Sequence, residues 1–516
     1  MDRKRSVLNV GVSLIFRVIL LFAAMYVRRL LIQHLGTDVN GLNDLYANII
    51  GMLSIAELGV GSAIVFSMYS PIVSGNLRKV AALYSLYKRL YWVISAVILS
   101  AGLAVMPFLP KFIGDYGQLT VNVYETFFLT LFSAAVSYLY SAKTALIEAY
   151  KDNYLTTGIL SFSRLVQFGL QSAAILITES YTAFLVCQII ETLLIWRLTE
   201  TAVRCLHGNI IVMRESVDRD TKAEVVRNIK AMFMHKIGTI LVNSTDSLII
   251  SSFIGVAALG LYSNYTLIAG VAAGTLGLFF SPLTSVLGHL CVTGNPKQTK
   301  HYFTCFYCLN YILGVVFFLG YFAVIDNVIA LCLGRGLEVS RTIVFIITLN
   351  QFVSFMRKTA LLFRDASGTF YNDRWKPVVE GVVNLFLSLI LVNVFPEDYR
   401  IAGVIAATII TSLLICHIVE PYVVFRHVFG QSPWRFCLKN YAYIALFVFC
   451  TLAMKCLSQP CDSEVASVLV NGLLSLAVSF AALGALAAVD RNFRAGVQSL
   501  SKSWRSMLAC PITEIN

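Results

Sequence analysis

The sequence predicts an all-α, polytopic membrane protein of about fourteen transmembrane helices, built as two pseudo-symmetric six-helix bundles with two extra C-terminal helices. Three observations predict it: an apolar composition broken into runs of spanning length, basic residues confined to alternate loops, and an internal repeat. Of 516 residues 58% are hydrophobic and 13% charged, and the mean hydropathy is +0.75. A soluble domain carries about 25% charged residues, so the bilayer is the solvent to reason with.

A hydrocarbon core needs roughly 20 apolar residues per crossing. Such runs fall at 7–33, 40–69, 89–110, 121–142, 155–177, 181–203, 231–254, 258–290, 302–332, 342–363, 377–395, 401–425, 437–457 and 464–489. The first follows Met1-Asp2-Arg3-Lys4-Arg5 like a signal peptide. Its apolar core exceeds the roughly 7–15 residues such signals use, which makes it a retained helix. The domain division expected is 1–230 for the first bundle and its linker, 231–430 for the second, and 431–516 for two added helices and a tail.

The net charge of +12 raises nucleic acid as a partner, and the positions of the 40 Lys and Arg residues exclude it. About 30 cluster at the N-terminus, in alternate loops and in the C-terminal tail, whereas the intervening loops hold about seven. This asymmetry places both termini in the cytoplasm and requires an even number of spans. The 12 cysteines show no metal-ligand spacing; Cys305 and Cys308 read as small hydrophobes in a helix, and Cys456 and Cys461 flank an outer loop where they could pair.

Set against itself at an offset of 219 residues, the chain aligns Gly36, Gly41, Leu42 and Tyr46 with Gly255, Gly260, Leu261 and Tyr265. Gly51 meets Gly270, and Gly75-Asn76 meets Gly294-Asn295. An offset of 221 aligns Tyr150-Lys151-Asp152 with Tyr371-Asn372-Asp373. Two halves of six helices share one orientation, an arrangement in which transporters place the substrate between the halves.

The repeat sets Arg17 opposite Lys236, one cation in the first helix of each half, and Arg164 lies inside the fifth span with Gln167 on the same face. A charge facing lipid costs several kcal/mol, so these three either snorkel and pair structurally or form a cationic cavity for an anionic head group such as pyrophosphate. Acidic residues within spans are Glu57, Glu191, Asp246 and Glu380. Asp246, among Asn243, Ser244 and Thr245, suits Na⁺ coordination or a proton relay, or an ion pair with a cation such as Arg17 or Arg28. Glu57, before Gly59 and Gly61, is a second ion-coupling candidate or the partner of an unwound, closely packed segment; the glycines favour packing. Gly270 and Gly274 read as a helix-packing contact. Asp218-Arg219-Asp220 has the Asp-x-Asp form of some glycosyltransferases and equally reads as a solvated turn. There is no Walker A loop and no His-Glu-x-x-His, hence no expectation of ATP hydrolysis, metal or organic cofactor.

Several segments together resemble the polysaccharide transporter family of the multidrug/oligosaccharidyl-lipid/polysaccharide exporter superfamily, in particular bacterial O-antigen and capsule flippases. They are Leu35-Gly36-x4-Gly41-Leu42, Leu53 to Ile64, Tyr69-Ser70-Pro71-Ile72, Tyr262-Ser263-Asn264-Tyr265, and Phe363 to Pro377 followed by Glu380 and Asn384-Leu385. The resemblance covers roughly residues 7–425 and departs at Gly403 to Thr408, where glycine is expected before the threonine. It implies two six-helix bundles around a central cavity in the bacterial inner membrane. It also implies translocation of an undecaprenyl-pyrophosphate-linked oligosaccharide to the outer leaflet, beside other polysaccharide assembly proteins; Asp246 or Glu57 could couple this to a Na⁺ or H⁺ gradient. Similar flippases carry a cavity cation in the first helix, compatible with Arg17. The alternatives are an ion-coupled multidrug exporter of the same superfamily, a membrane polymerase or ligase, which needs a larger outer loop than any here, and a scaffold.

Overall fold

The computed structural model describes residues 3–57, 60–114, 117, 119–213, 215–219, 221–223, 225–226, 244–280, 287, 291 and 295–509. Among them all regular structure is helical, the solution a single spanning segment has for pairing its amides where hydrocarbon offers no partner. Among the described residues, ten helices are long and apolar enough to cross a membrane, from Val18–Leu53 to Glu464–Val489. The chain is a multi-pass membrane protein.

The principal helices are α1 (Arg3–Leu53), α2 (Val60–Val73), α3 (Leu77–Val105), α4 (Val123–Ala149), α5 (Asn153–Thr178), α6 (Tyr181–Val212), α7 (Val256–Phe280), α8 (Pro296–Cys332), α9 (Arg341–Met356), α10 (Lys358–Ser367), α11 (Lys376–Val394), α12 (Arg400–Thr411), α13 (His417–His427), α14 (Trp434–Leu457), α15 (Glu464–Val489) and α16 (Arg491–Ala509). The two spans expected at 7–33 and 40–69 are divided differently. The chain turns at Gly36, where φ is +92°, and the second run gives way to a 3₁₀ turn at Ser54–Glu57 before α2. The run expected at 231–254 is helical over 244–253, its remainder lying outside the described residues, and 342–363 is split into α9 and α10.

The chain forms two compact units, Met1–Ser263 and Asn264–Asn516. In the first, the buried Tyr46 sets its ring edge-on to Phe127 and donates its hydroxyl to the Val123 carbonyl at 2.9 Å. The second is tied by aromatics. Phe352 stacks on Phe447 at 3.7 Å between centroids, and Phe303 meets Phe363, Phe425, Phe429 and Phe436 edge-on.

Repeat-equivalent residues take the same local roles. Gly36 and Gly255 both have positive φ, +92° and +125°, a region that costs a side chain strain. Asn76 and Asn295 cap α3 and α8 by accepting from the amides of Lys79 and Lys297 at 3.0 Å. Tyr46 and Tyr265 are fully buried with bonded hydroxyls. Within the first unit the two copies also touch. A Cβ on Gly41 would collide with the Val256 carbonyl, and one on Gly260 would lie 2.8 Å from the Thr37 carbonyl and 3.0 Å from the Gly41 amide. Backbones this close need small residues. The contact expected at Gly270 is absent among the described residues, since a Cβ there would meet nothing within 4 Å. Gly403 does pack tightly, its Cβ position lying 2.8 Å from the Leu391 carbonyl, and Asn384 donates to Thr408 at 2.8 Å beside it.

Candidate functional site

Within the first unit, helical spacing collects polar side chains around one cavity of about 440 Å³. From α4 come Ser133, Ser137 and Tyr140, at intervals of four and three. From α6 come Gln188, Glu191 and Thr192, and from α5 Ser161 and Arg164. Each set lies on one helix face, since residues three and four apart are neighbours. Leu20 from α1 lies among its apolar lining, with Ala134, Leu160 and Ile195.

Arg164 is the cation of this cavity. Its side chain is about half exposed (49%), its Nε lies 3.6 Å from the Glu191 carboxylate, and its Nη1 donates to Gln167 at 3.2 Å. Glu191 is only 6% exposed. A guanidinium carries five N–H donors in a planar fork, so two partners leave donors to spare for a ligand entering the cavity.

Of the other expected site residues, Asp246 and Glu57 do not line this cavity. The side chain of Arg17 and the whole of Lys236 lie outside the described residues; Arg17 precedes Leu20 by three residues on α1. Asp246 is buried. Arg28, considered a partner for it, instead pairs with Asp44 and donates to Ser263 at 2.5 Å, and Ser263 also bonds Asp44. Asp44 and Ser263 are themselves 219 residues apart, another pair of repeat equivalents in direct contact. Glu57 ends the 3₁₀ turn and accepts from the Tyr91 hydroxyl at 2.8 Å, which accepts in turn from Tyr87 at 3.0 Å. Gly61 leaves the room these rings need, for a Cβ would sit 2.9 Å from the Tyr87 hydroxyl.

Sequence reasoning missed a charged network in the second unit. Arg357 Nη2 lies 2.6 Å from Glu420 and its Nη1 3.0 Å from Glu380, while Lys376 Nζ lies 2.6 Å from Glu420 and 3.1 Å from Glu380. Glu420 is fully buried, Glu380 and Lys376 nearly so. Beside them His417 Nε2 donates to the Val353 carbonyl at 3.1 Å, a bond that fixes Nδ1 as the acceptor of Asn440 Nδ2 at 2.7 Å. The Lys376-x3-Glu380 spacing and a carboxylate in the apolar run at 420 were the available signals.

The remaining motifs are structural. In the Phe363–Pro377 block Gly368 ends α10 with φ +70°, and Arg364 clamps the following turn through Asp373 at 2.9 Å. Burial disfavours the Arg364 guanidinium, yet Asp365 and Asp373 raise its pKa above the usual arginine value. Asp218 accepts from the Thr221 amide at 2.9 Å, as a turn residue does, and Asp220 lies outside the described residues. Cys305 and Cys308 are buried in α8, and Cys456 and Cys461 are free thiols.

No protein-family model and no curated protein sequence matches the chain. Solved structures do match. The lipid II flippase MurJ in an inward closed conformation superposes with a TM-score of 0.60 at 14% identity, covering 91% of this chain and 97% of that one. An inward-facing MATE multidrug resistance transporter of the MOP superfamily gives 0.59 at 11% identity, covering 84% and 98%. The MATE multidrug transporter DinF-BH, solved as a complex, gives 0.56 at 13%, covering 82% and 97%. Identities this low speak to fold alone, and the chain shares the fold of these flippase and multidrug transporter structures.

Proposed function

We propose that the protein is a flippase of the bacterial inner membrane, with both termini cytoplasmic, that carries undecaprenyl-pyrophosphate-linked oligosaccharide to the outer leaflet by alternating access. The observation that carries this reading is Arg164, a half-exposed guanidinium on a cavity lined by hydroxyl and amide groups. Moving a sugar chain and a doubly charged linker through hydrocarbon is prohibitive without a hydrated path. A polar cavity supplies the path, and a planar cation suits the phosphates. Arg17, one turn before the cavity residue Leu20, and Lys236 are proposed to add to the same cationic site. Asp246 and Glu57 are proposed as the groups through which a Na⁺ or H⁺ gradient would act. The likeness in fold to a lipid II flippase supports the substrate class.

The test is the leaflet distribution of lipid-linked oligosaccharide in cells lacking the protein, read with an impermeant outer-leaflet probe. Wild type restores the outer-leaflet signal and Arg164→Ala does not. An unchanged signal in the deletion strain overturns the reading.

One observation favours a second reading, export of cationic drugs: Glu191 lines the same cavity beside Arg164 and would bind a cation if Arg164 swung away. It predicts efflux of a lipophilic cationic dye that is lost in Glu191→Gln and kept in Arg164→Ala, the opposite of the flippase pattern.

A further inference from the structure

A second cavity, of about 650 Å³, lies within the second unit where α8, α14 and α16 begin. Its charged lining is cationic: Lys300 on α8, and Arg435 and Lys439 on α14. No carboxylate lines it among the described residues, and Ser432 and Asn492 add hydrogen-bonding groups. Lys439 is neutralised by Asp490 at 2.6 Å. Lys300 is held by the neutral Gln431 and lies 5.8 Å from the Phe425 ring centroid, and Arg435 is exposed, so both charges stand without an acidic partner among the described residues. Arg435 and Asn492 lie in the first turns of α14 and α16, whose amino ends add partial positive charge. On α14 the exposed Trp434 and Leu438 flank Arg435, one turn apart, as side chains do at the boundary between water and acyl chains.

We propose that this cavity binds a phosphate-bearing anion at the membrane surface, with Lys300 and Arg435 as its charged contacts and α16 as one wall. It is separate from the Arg164 cavity and does not rest on the transport reading. The chemistry is shared by an anionic phospholipid head group and by free phosphate compounds; Trp434 and Leu438 beside Arg435 favour the head group.

The experiment uses the full chain in phosphatidylcholine nanodiscs and measures thermal stabilisation on adding phosphatidylglycerol in one arm, and inorganic phosphate or glycerol 3-phosphate in another. The variants are Lys300→Gln with Arg435→Gln, and Arg426→Gln as a cation beyond the lining. The paired variant, melting like wild type in phosphatidylcholine alone, is expected to bind about tenfold more weakly, equivalent to about 1.4 kcal/mol. Phosphatidylglycerol stabilisation with that sensitivity assigns the head group; the same sensitivity toward the soluble phosphates assigns a soluble ligand to the same site. Equal stabilisation of wild type and paired variant, or an equal loss in Arg426→Gln, overturns the proposal.

Discussion

Arginine is used in two opposite ways in this chain. Arg357 sits in a closed network whose two cations and two carboxylates balance, with Glu420 fully buried. Arg164 is half exposed on a cavity, held loosely by one carboxylate at 3.6 Å. The difference teaches that a charge within an apolar segment signals function only when something is left over, in donors or in space. A network that balances internally has nothing to offer a ligand; it holds helices together.

Breaking the balance should therefore have the largest effect. Glu420→Ala leaves Arg357 and Lys376 sharing Glu380 alone in a buried site, a change that costs about 3–5 kcal/mol. The expected outcome is loss of folded, membrane-inserted protein, read as the monodisperse fraction after detergent extraction. Normal yield and melting temperature would mean that the network carries little of the fold.

Next in size is Gly260→Val. Its new Cβ would press on the Thr37 carbonyl and the Gly41 amide, and backbone cannot swing aside as a side chain can. Overpacking of this kind costs about 1–3 kcal/mol. Gly270→Val, facing open space, should leave the melting temperature unchanged. Equal losses at the two positions would remove the distinction drawn between the repeat equivalents that touch and those that do not.

These two positions also show what was legible in the sequence. Helices were, because a spanning segment announces itself by length and apolarity alone. The repeat itself was legible, but the local roles it marks, the turn at Gly36, the close approach at Gly41, the buried ring of Tyr46 and the cap at Asn76, came only with the structure. Arg164 was legible as a cation inside a span. Partnerships were not. Nothing in the order of residues tells that Arg357 reaches Glu420, 63 positions away, or that Arg28 reaches Asp44 rather than Asp246. Likewise the choice between Gly260 and Gly270 depends on which helix face meets another.

A smaller effect is expected at the tail. Asp490 binds Lys439 and accepts from the Tyr443 hydroxyl at 2.7 Å, and caps α16 through the amides of Asn492 and Phe493 at 2.8 and 3.1 Å. Burial pushes its carboxyl up, but these partners hold it below the usual carboxylate range. A lowered pKa stabilises the folded state above the unfolded carboxylate range, and the contribution is lost as pH falls through the folded value. Acid below the unfolded carboxylate value of about 3.9 should loosen α16, seen as a greater rise in amide exchange over 491–500 than in a variant without the carboxylate. Asp490→Asn keeps the cap, since Asn caps as well as Asp, but loses the ion pair with Lys439; it should cost up to about 1 kcal/mol and abolish that pH dependence.

The smallest effect on stability is expected where the effect on function is largest. Arg164→Ala removes one partner of Glu191, which is 6% exposed, yet the carboxylate borders a cavity where water or a proton can replace the guanidinium. The cost should stay below about 1 kcal/mol, with yield and melting close to wild type while outer-leaflet oligosaccharide falls. Arg164→Lys sharpens the point: it restores the charge but not the fork, so partial recovery would show that planar, two-point recognition of the anion contributes beyond charge. If instead Arg164→Ala destabilised the protein as much as Glu420→Ala, Arg164 would be a structural residue like Arg357, and the cavity would lose the group that marks it as a site.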